Sequence, residues 1–362
     1  MSVAINGTDG ITFNDGSLQP SASVGKNLII NGDMRIWQRN TSVTGVSNAE
    51  LVADRWVHVI SGGTWDVARS TDVPTGEGFG YSLKVDCTAT TTSHVWVEQK
   101  LEGQNLQQIK KGTSNAEKLT VSFWVKSNKT GTFIVWLRDQ DNNRHCSQSY
   151  TISSANTWEY KTVTFPADTT GALDNDNALS LRVCFFLAPG SYDTGTLATT
   201  WESRVNANAA VGQTDLGDST ANEFLFTGVQ LEANTTATPF EHLQYGQQLA
   251  LCQRYFYTES QGDAYHNLMN GFYASTSLWI GVLHLPVPLR ASPTLTVSGS
   301  WQTSGASPNS STESGLVSQD NVVANLNCVQ IRATVSITNA GQGATLRNDN
   351  DTSAKFELSS EL

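Results

Sequence analysis

A chain of 362 residues is long enough for two domains, each burying a core of its own. With 38% hydrophobic and 15% charged residues, and with Gly, Ser, Thr and Asn abundant, the composition suits strands joined by polar turns and makes an all-β class the expectation. The net charge of -11 and the lack of any Lys/Arg cluster exclude a phosphate-backbone binder, and no run reaches the roughly 18 apolar residues of a membrane span.

Residues 1–25 pair a short alternating start (Val3, Ile5) with Gly7, Gly10 and Gly16, too little to bury a core, so this stretch is expected to be an arm that orders on another protein. The opening MSVAINGTDGITFNDGS lacks the basic start and apolar run of a signal peptide, so export is expected only by a route such as cell lysis. NLIINGDMRIWQRN (Asn27 to Asn40) follows and reads as the first strand of a sandwich and its lock on the core. Repeated strand signals come next: LTVSFWVKS from Leu119, TFIVWLRD from Thr132, TWEYKTVTF from Thr157, LSLRVCFFL from Leu179 and EFLFTGVQLE from Glu223. In the first, Leu119, Val121, Phe123 and Val125 share one face, and Thr120, Ser122, Trp124 and Lys126 the other. Turn-rich stretches separate them, predicting a two-sheet sandwich of about eight to ten strands over residues 26–237.

The pattern changes at TPFEHLQYGQQLALCQRYFY. Thr238, Pro239 and Glu241 fit an N-cap, a proline at the first helical position and the glutamate of a capping box, predicting a helix over 238–257. Tyr245, Leu249, Cys252 and Phe256 then form a stripe that either lies on the sandwich or meets copies of itself as a trimer seam. From 258 to 362 the chain is β again, with STSLWIGVLHLPVPLR, PTLTVSG and CVQIRATVSIT as strand signals and SGASPNSSTESG (Ser304 to Gly315) as a polar low-complexity loop. This module is short of core-forming material, and is expected to complete its core with neighbouring copies. The five cysteines, Cys87, Cys146, Cys184, Cys252 and Cys328, show no metal-ligand spacing, and most read as reduced core thiols.

In order along the chain, NLIINGDMRIWQR, ADRW, VEQKLEG, LTVSFWVKS, TWEYKTVTFP, FTGVQLE and ATPFEHLQYGQQLALCQRYF resemble the ordered blocks of bacteriophage tail fibres and related virion appendages, of the kind found in cyanophages. The resemblance covers about residues 27–256. It implies a carbohydrate-binding-module-like jelly roll, an N-terminal arm seated on another virion protein, a homotrimer, and a distal module facing a host-surface glycan. The fold class expected is therefore mainly β: a jelly-roll-like sandwich, a short helix and a smaller C-terminal β tip domain. The function expected is that of a tail fibre on the virion used in adsorption, with a head fibre or capsid decoration protein as the alternative and a polysaccharide-cleaving tail spike less favoured.

Exposed tryptophan faces stack on sugar rings, yet Trp37 and Trp56, beside Arg35, Arg39 and Arg55, fall in framework blocks and read as packing. Receptor contacts are expected in the tip, at Trp301, Trp279, Tyr265, Tyr273 and His266, with Trp301, among small polar residues, as the indole most open to solvent. No GxSxG, HExxH or triad context appears, Glu98, Glu102 and Glu232 sit in strand-like blocks, and the six histidines show no metal-like pairing. No catalytic residue, metal or cofactor is expected. The acid-rich DQDNN and DNDN read as turns rather than as calcium loops.

Overall fold

Alternation of apolar and polar residues becomes antiparallel strand pairing in both halves of the chain. The computed structural model describes residues 4–6, 10–12, 18–19, 26–260, 262–305, 310–318 and 326–362. The fold is mainly β, with one short α-helix, and divides into two units, residues 1–243 and 244–362.

In the first unit a six-stranded sheet runs in the order Glu159–Phe165, Leu119–Ser127, Glu223–Ala233, Ser82–Ala89, Thr64–Ser70 and Ser42–Val43. A seven-stranded sheet runs Glu202–Ser203, Arg144–Ile152, Gly131–Asp139, Leu179–Ala188, Val95–Glu102, Trp56–Ile60 and Glu50–Leu51. Their inward faces supply one core, in which Trp56 packs edge-on against Phe226 at 5.2 Å and beside Phe185 at 6.2 Å between ring centroids. Burying such side chains contributes about 1.5–3 kcal/mol each, the main term that holds the two sheets together. Part of the arm, Ala4–Asn6, Gly10–Thr12 and Leu18–Gln19, forms a small antiparallel sheet, while Val3, Gly7 and Gly16 lie outside the described residues.

Asn27 to Asn40 is not the first strand that the sequence suggested. Asn31 and Met34 take positive φ (57° and 55°), which a strand does not allow, and the segment folds into a plug that buries Ile29, Met34 and Ile36. Its backbone is satisfied by the Asn31 side chain: Oδ1 accepts from the N–H groups of Arg35 (3.0 Å) and Ile36 (2.9 Å), and Nδ2 donates to the carbonyls of Ile36 (2.9 Å) and Asp54 (3.0 Å). The expected lock on the core is real, in loop form.

The helix starts later than expected, at Tyr245–Gln253, because Thr238 and Glu241 are spent elsewhere. Thr238 donates to the Glu232 carboxylate (2.9 Å), and the Glu241 carboxylate accepts from the Asn27 N–H (2.9 Å), so residues 234–243 run as a strap over the six-stranded sheet. Gln244 and Gln247 form the capping box instead. The stripe does not make one open seam: Tyr245 is 57% exposed and Leu249 half-buried, whereas Cys252 and Phe256 are buried within their own unit. The Arg254 carbonyl at the helix end accepts from the Arg290 N–H and the Ser360 hydroxyl, and Phe256 already belongs to a strand.

In the second unit a closed barrel runs Asn267–Ser275, Leu278–His284, Cys328–Thr334, Ser310–Ser318, Trp301–Gly305 and Gly343–Asn348, beside a three-stranded sheet of Phe256–Ser260, Lys355–Ser359 and Thr294–Ser298. Two expectations are corrected here. Ser310–Ser318 is a strand, although its part up to Gly315 was expected to lie in a polar loop, because barrel closure needs only its backbone groups. The unit also completes its own core, from Tyr273, Trp279, Trp301, Ile331, Leu346, Phe356 and Leu358, without a neighbouring copy. All five cysteines remain thiols; Cys328 is half-buried and the other four buried. No helix is long and apolar enough to cross a membrane among the described residues.

Candidate functional site

The strap crosses the outer face of the six-stranded sheet at Thr120 and Gln230. Thr120 donates to the Asn234 carbonyl (2.8 Å), Gln230 to that of Thr238 (3.1 Å), and the Glu241 N–H reaches Gln230 Oε1 (3.0 Å). The cover stops beyond Ser122. From there Trp124 is half-buried and Tyr160 45% exposed, on neighbouring strands and directly paired in register. Their rings lie 5.4 Å apart at 50°, forming one side of a groove of about 630 Å³.

The opposite side is built from Phe79, Pro239, Phe240 and His242, with Glu77 and Thr238 adding polar groups. Phe79 packs edge-on against Phe240 at 5.2 Å and lies 5.3 Å from the His242 ring. A bulge in Glu223–Ala233 sets this wall: Gly228 has φ of 63°, and a Cβ there would fall 2.6 Å from the Phe79 ring. Beyond Trp124 along its strand, Lys126 Nζ holds Asp72 Oδ2 at 2.6 Å, and Trp158 Nε1 donates to Asp72 Oδ1 at 2.8 Å. Burial pushes the Asp72 carboxyl up, but these two hydrogen bonds outweigh it and hold it below the usual carboxylate range.

Such a groove offers aromatic faces for apolar CH surfaces, with polar groups around them for hydroxyls. Glu77 supplies the one carboxylate among its lining residues, so the pair of carboxylates that glycoside hydrolysis uses is not assembled there. Glu98 is taken up by Arg182 Nη1 (2.5 Å) and Trp96 Nε1 (2.9 Å), and Glu232 by Thr238. Among the described residues no group of three or more His, Cys, Asp or Glu side chains is arranged to hold a metal. In DQDNN, Asp139 is occupied by Lys111 Nζ (2.5 Å) and the Asn142 N–H (2.9 Å).

The residues expected to meet a receptor are divided by the structure. Trp301, Trp279 and Tyr273 are not exposed: they are 1%, 0% and 0% accessible in the second unit's core. Trp279 fits because Gly271 and Gly281, paired in register, leave room for its ring; a Cβ on either would come within 2.5 Å of it. Trp301 stacks edge-on against Phe356 at 5.0 Å and donates to the Ser298 carbonyl. Tyr265 and His266 are exposed, with the Arg347 guanidinium 5.0 Å from the Tyr265 ring centre. The structure therefore does not bring the five together as one face. A hollow of about 660 Å³ on the outer wall of the barrel, lined by Phe272, Ile280 and Val282 among others, lacks a paired aromatic platform.

Sequence reasoning passed over Trp124 and Tyr160, although a signal was present. Strand alternation put Trp124 on the polar face of LTVSFWVKS, where an indole needs a reason to be.

No protein-family model and no curated protein sequence matches the chain. Solved structures are similar to it at low identity. A putative sugar binding protein from Bacteroides thetaiotaomicron is 14% identical over 57% of this chain and 100% of its own, with a TM-score of 0.33. A family 11 carbohydrate-binding module from Clostridium thermocellum, solved with a beta-1,3-1,4-mixed-linked tetrasaccharide, is 14% identical over 55% and 100%, at 0.29. The enzymatically active domain of tailspike protein 4 of bacteriophage CBA120 is 16% identical over 59% of this chain and 24% of its own, at 0.31. Likenesses at this level leave the function to be read from the site itself.

Proposed function

We propose that this protein is a non-catalytic glycan-binding component of a phage virion. The observation that carries the glycan reading is the pair Trp124 and Tyr160, open on the outer sheet face beside the strap and walled by Phe79 and Phe240. The virion setting rests on the ordered sequence blocks over residues 27–256. Within that setting the protein is a tail fibre that anchors through residues 1–25 and adheres to host-surface sugars, and a homotrimer gives avidity to individually weak contacts. Exposed Phe272 (49%) and Val282 (40%) on the barrel wall offer apolar surface for contact between copies.

Binding to immobilised glycans, compared for the native chain and Trp124→Ala, tests the first part. Retention by at least one glycan that disappears in the variant is expected; equal retention of both would sink it. Light scattering of the full chain is expected to give three times the chain mass, and a monomer at micromolar concentration removes the trimer. Antibody labelling of particles is expected to mark the tail; labelling of the head would turn the reading to a decoration protein.

A further inference from the structure

The ion pairs around the groove bear on which sugars it takes. Resting on the glycan reading, we infer that this site selects uncharged glycans and rejects acidic ones.

No lysine or arginine lines the groove, His242 being its one basic side chain, and its single carboxylate, Glu77, is exposed and has no ion-pair partner among the described residues. The three ammonium groups on the same sheet are paired within the chain, Lys161 with Glu159 Oε2 at 2.5 Å. Lys126 Nζ lies 2.6 Å from Asp72 Oδ2, and Lys84 Nζ sits between Asp86 Oδ1 at 3.0 Å and Glu223 Oε2 at 2.8 Å. Arg35, on the segment beneath the strap, is held by Asp33 at 2.7 Å and by the Leu243 carbonyl at 3.2 Å. Asp72, Asp86 and Glu223 thus hold Lys126 and Lys84, and Glu77 adds a further negative charge in the groove itself.

Recognition of a uronate, sulfate or phosphate needs a cation with donors to spare, most often a guanidinium fork. Here Lys126, Lys84 and Arg35 would each have to leave a carboxylate first, Lys26 Nζ is engaged by Thr238 Oγ1 (2.6 Å) and the Pro239 carbonyl (2.7 Å), and the incoming anion would meet Glu77. A neutral sugar meets no such barrier. Its apolar face lies on the Trp124 and Tyr160 rings, and its hydroxyls can donate to the Glu77 carboxylate, a charge-assisted bond that an acidic group in the same place would turn into repulsion.

The test is native affinity electrophoresis of the full chain through gels containing a neutral polymer (mixed-linkage β-glucan, galactan or galactomannan) or an acidic one (polygalacturonate or alginate). It is run at about 20 mM and about 500 mM salt, since screening weakens only charge-driven binding. Retardation by at least one neutral polymer is expected, unchanged by salt and abolished in Trp124→Ala, with none by the acidic polymers. Salt-sensitive retardation by an acidic polymer that also needs Trp124 would overturn the inference while leaving the groove as the binding site. Retardation by no polymer, or retardation that survives Trp124→Ala, would instead overturn the glycan reading itself. Glu77→Lys provides the second arm: it is expected to admit polygalacturonate at least threefold better than the native chain. An unchanged ratio of acidic to neutral binding would remove Glu77 as the cause.

Discussion

The indole of Trp124 and the phenol of Tyr160 stand 5.4 Å apart on two antiparallel strands, at positions paired Cα to Cα across the ladder. Cross-strand pairing places them on one face, and Pro239, Phe240 and His242 of the strap line the groove beside them.

Removing either ring is therefore expected to weaken glycan binding while leaving the fold in place. Trp124→Ala and Tyr160→Ala should each lower affinity about tenfold to a hundredfold, with a stability loss of about 1 kcal/mol or less because neither side chain is fully buried. Titration calorimetry beside a thermal melt separates the two effects.

Gly228→Ala acts on the opposite wall. The new Cβ would fall 2.6 Å from the Phe79 ring at a φ of 63°, so Phe79 must move. A loss of several-fold in affinity is expected with Trp124 and Tyr160 untouched, read by the same titration; unchanged affinity would show that the Phe79 wall contributes little.

Asn31→Ala is expected to cost unit 1 about 2–4 kcal/mol. Its four side-chain hydrogen bonds satisfy backbone groups of Arg35, Ile36 and Asp54, and the side chain is completely buried. The Asn31 carbonyl also accepts the Trp56 indole N–H at 3.0 Å, so the loss should appear as a shift of the Trp56-sensitive fluorescence transition to lower urea.

Lys111→Ala is expected to cost about 3–5 kcal/mol, since it leaves the buried Asp139 carboxylate without its cation while Asp168 keeps Arg144 at 2.9 Å. Lys111 Nζ meets Asp139 Oδ2 at 2.5 Å, Asp168 Oδ2 at 2.9 Å, and the carbonyls of Thr170 and Gly171. Urea unfolding measures it; a change below about 1 kcal/mol, the worth of a surface pair, would contradict the buried geometry.

His58 predicts an acid limb in the stability curve. Burial pushes its ring down from 6.5 to about 4, while its Nδ1 contact with the Glu50 carbonyl partly offsets this. Between about pH 6.5 and 4 the unfolded chain takes up a proton that the folded one refuses, so stability falls as pH falls through this window, by about 3 kcal/mol in all. In His58→Leu that part of the slope should vanish, whatever the variant's stability at neutral pH; urea midpoints from pH 7 to pH 4 would reveal it.

Local alternation determined much of this protein. It was enough to assign a mainly β fold, to bound the strand Leu119–Ser127, and to put Trp124 opposite Phe123 and Val125. It could also have pointed to the site, because Trp124 and Tyr160 both fall in strands with a polar outer register. What it did not carry was coverage. Trp301 lies among small polar residues and is nevertheless buried, because the sheet of the second unit folds Phe356 onto it. Thr238 and Glu241 carry the chemistry of a helix start, yet Glu232 and the Asn27 N–H claim them first. Which face of a strand stays open depends on segments distant in sequence that come to lie over it, and those long-range contacts exist only in the tertiary structure. Periodicity is a local property of the chain, whereas exposure belongs to the folded whole.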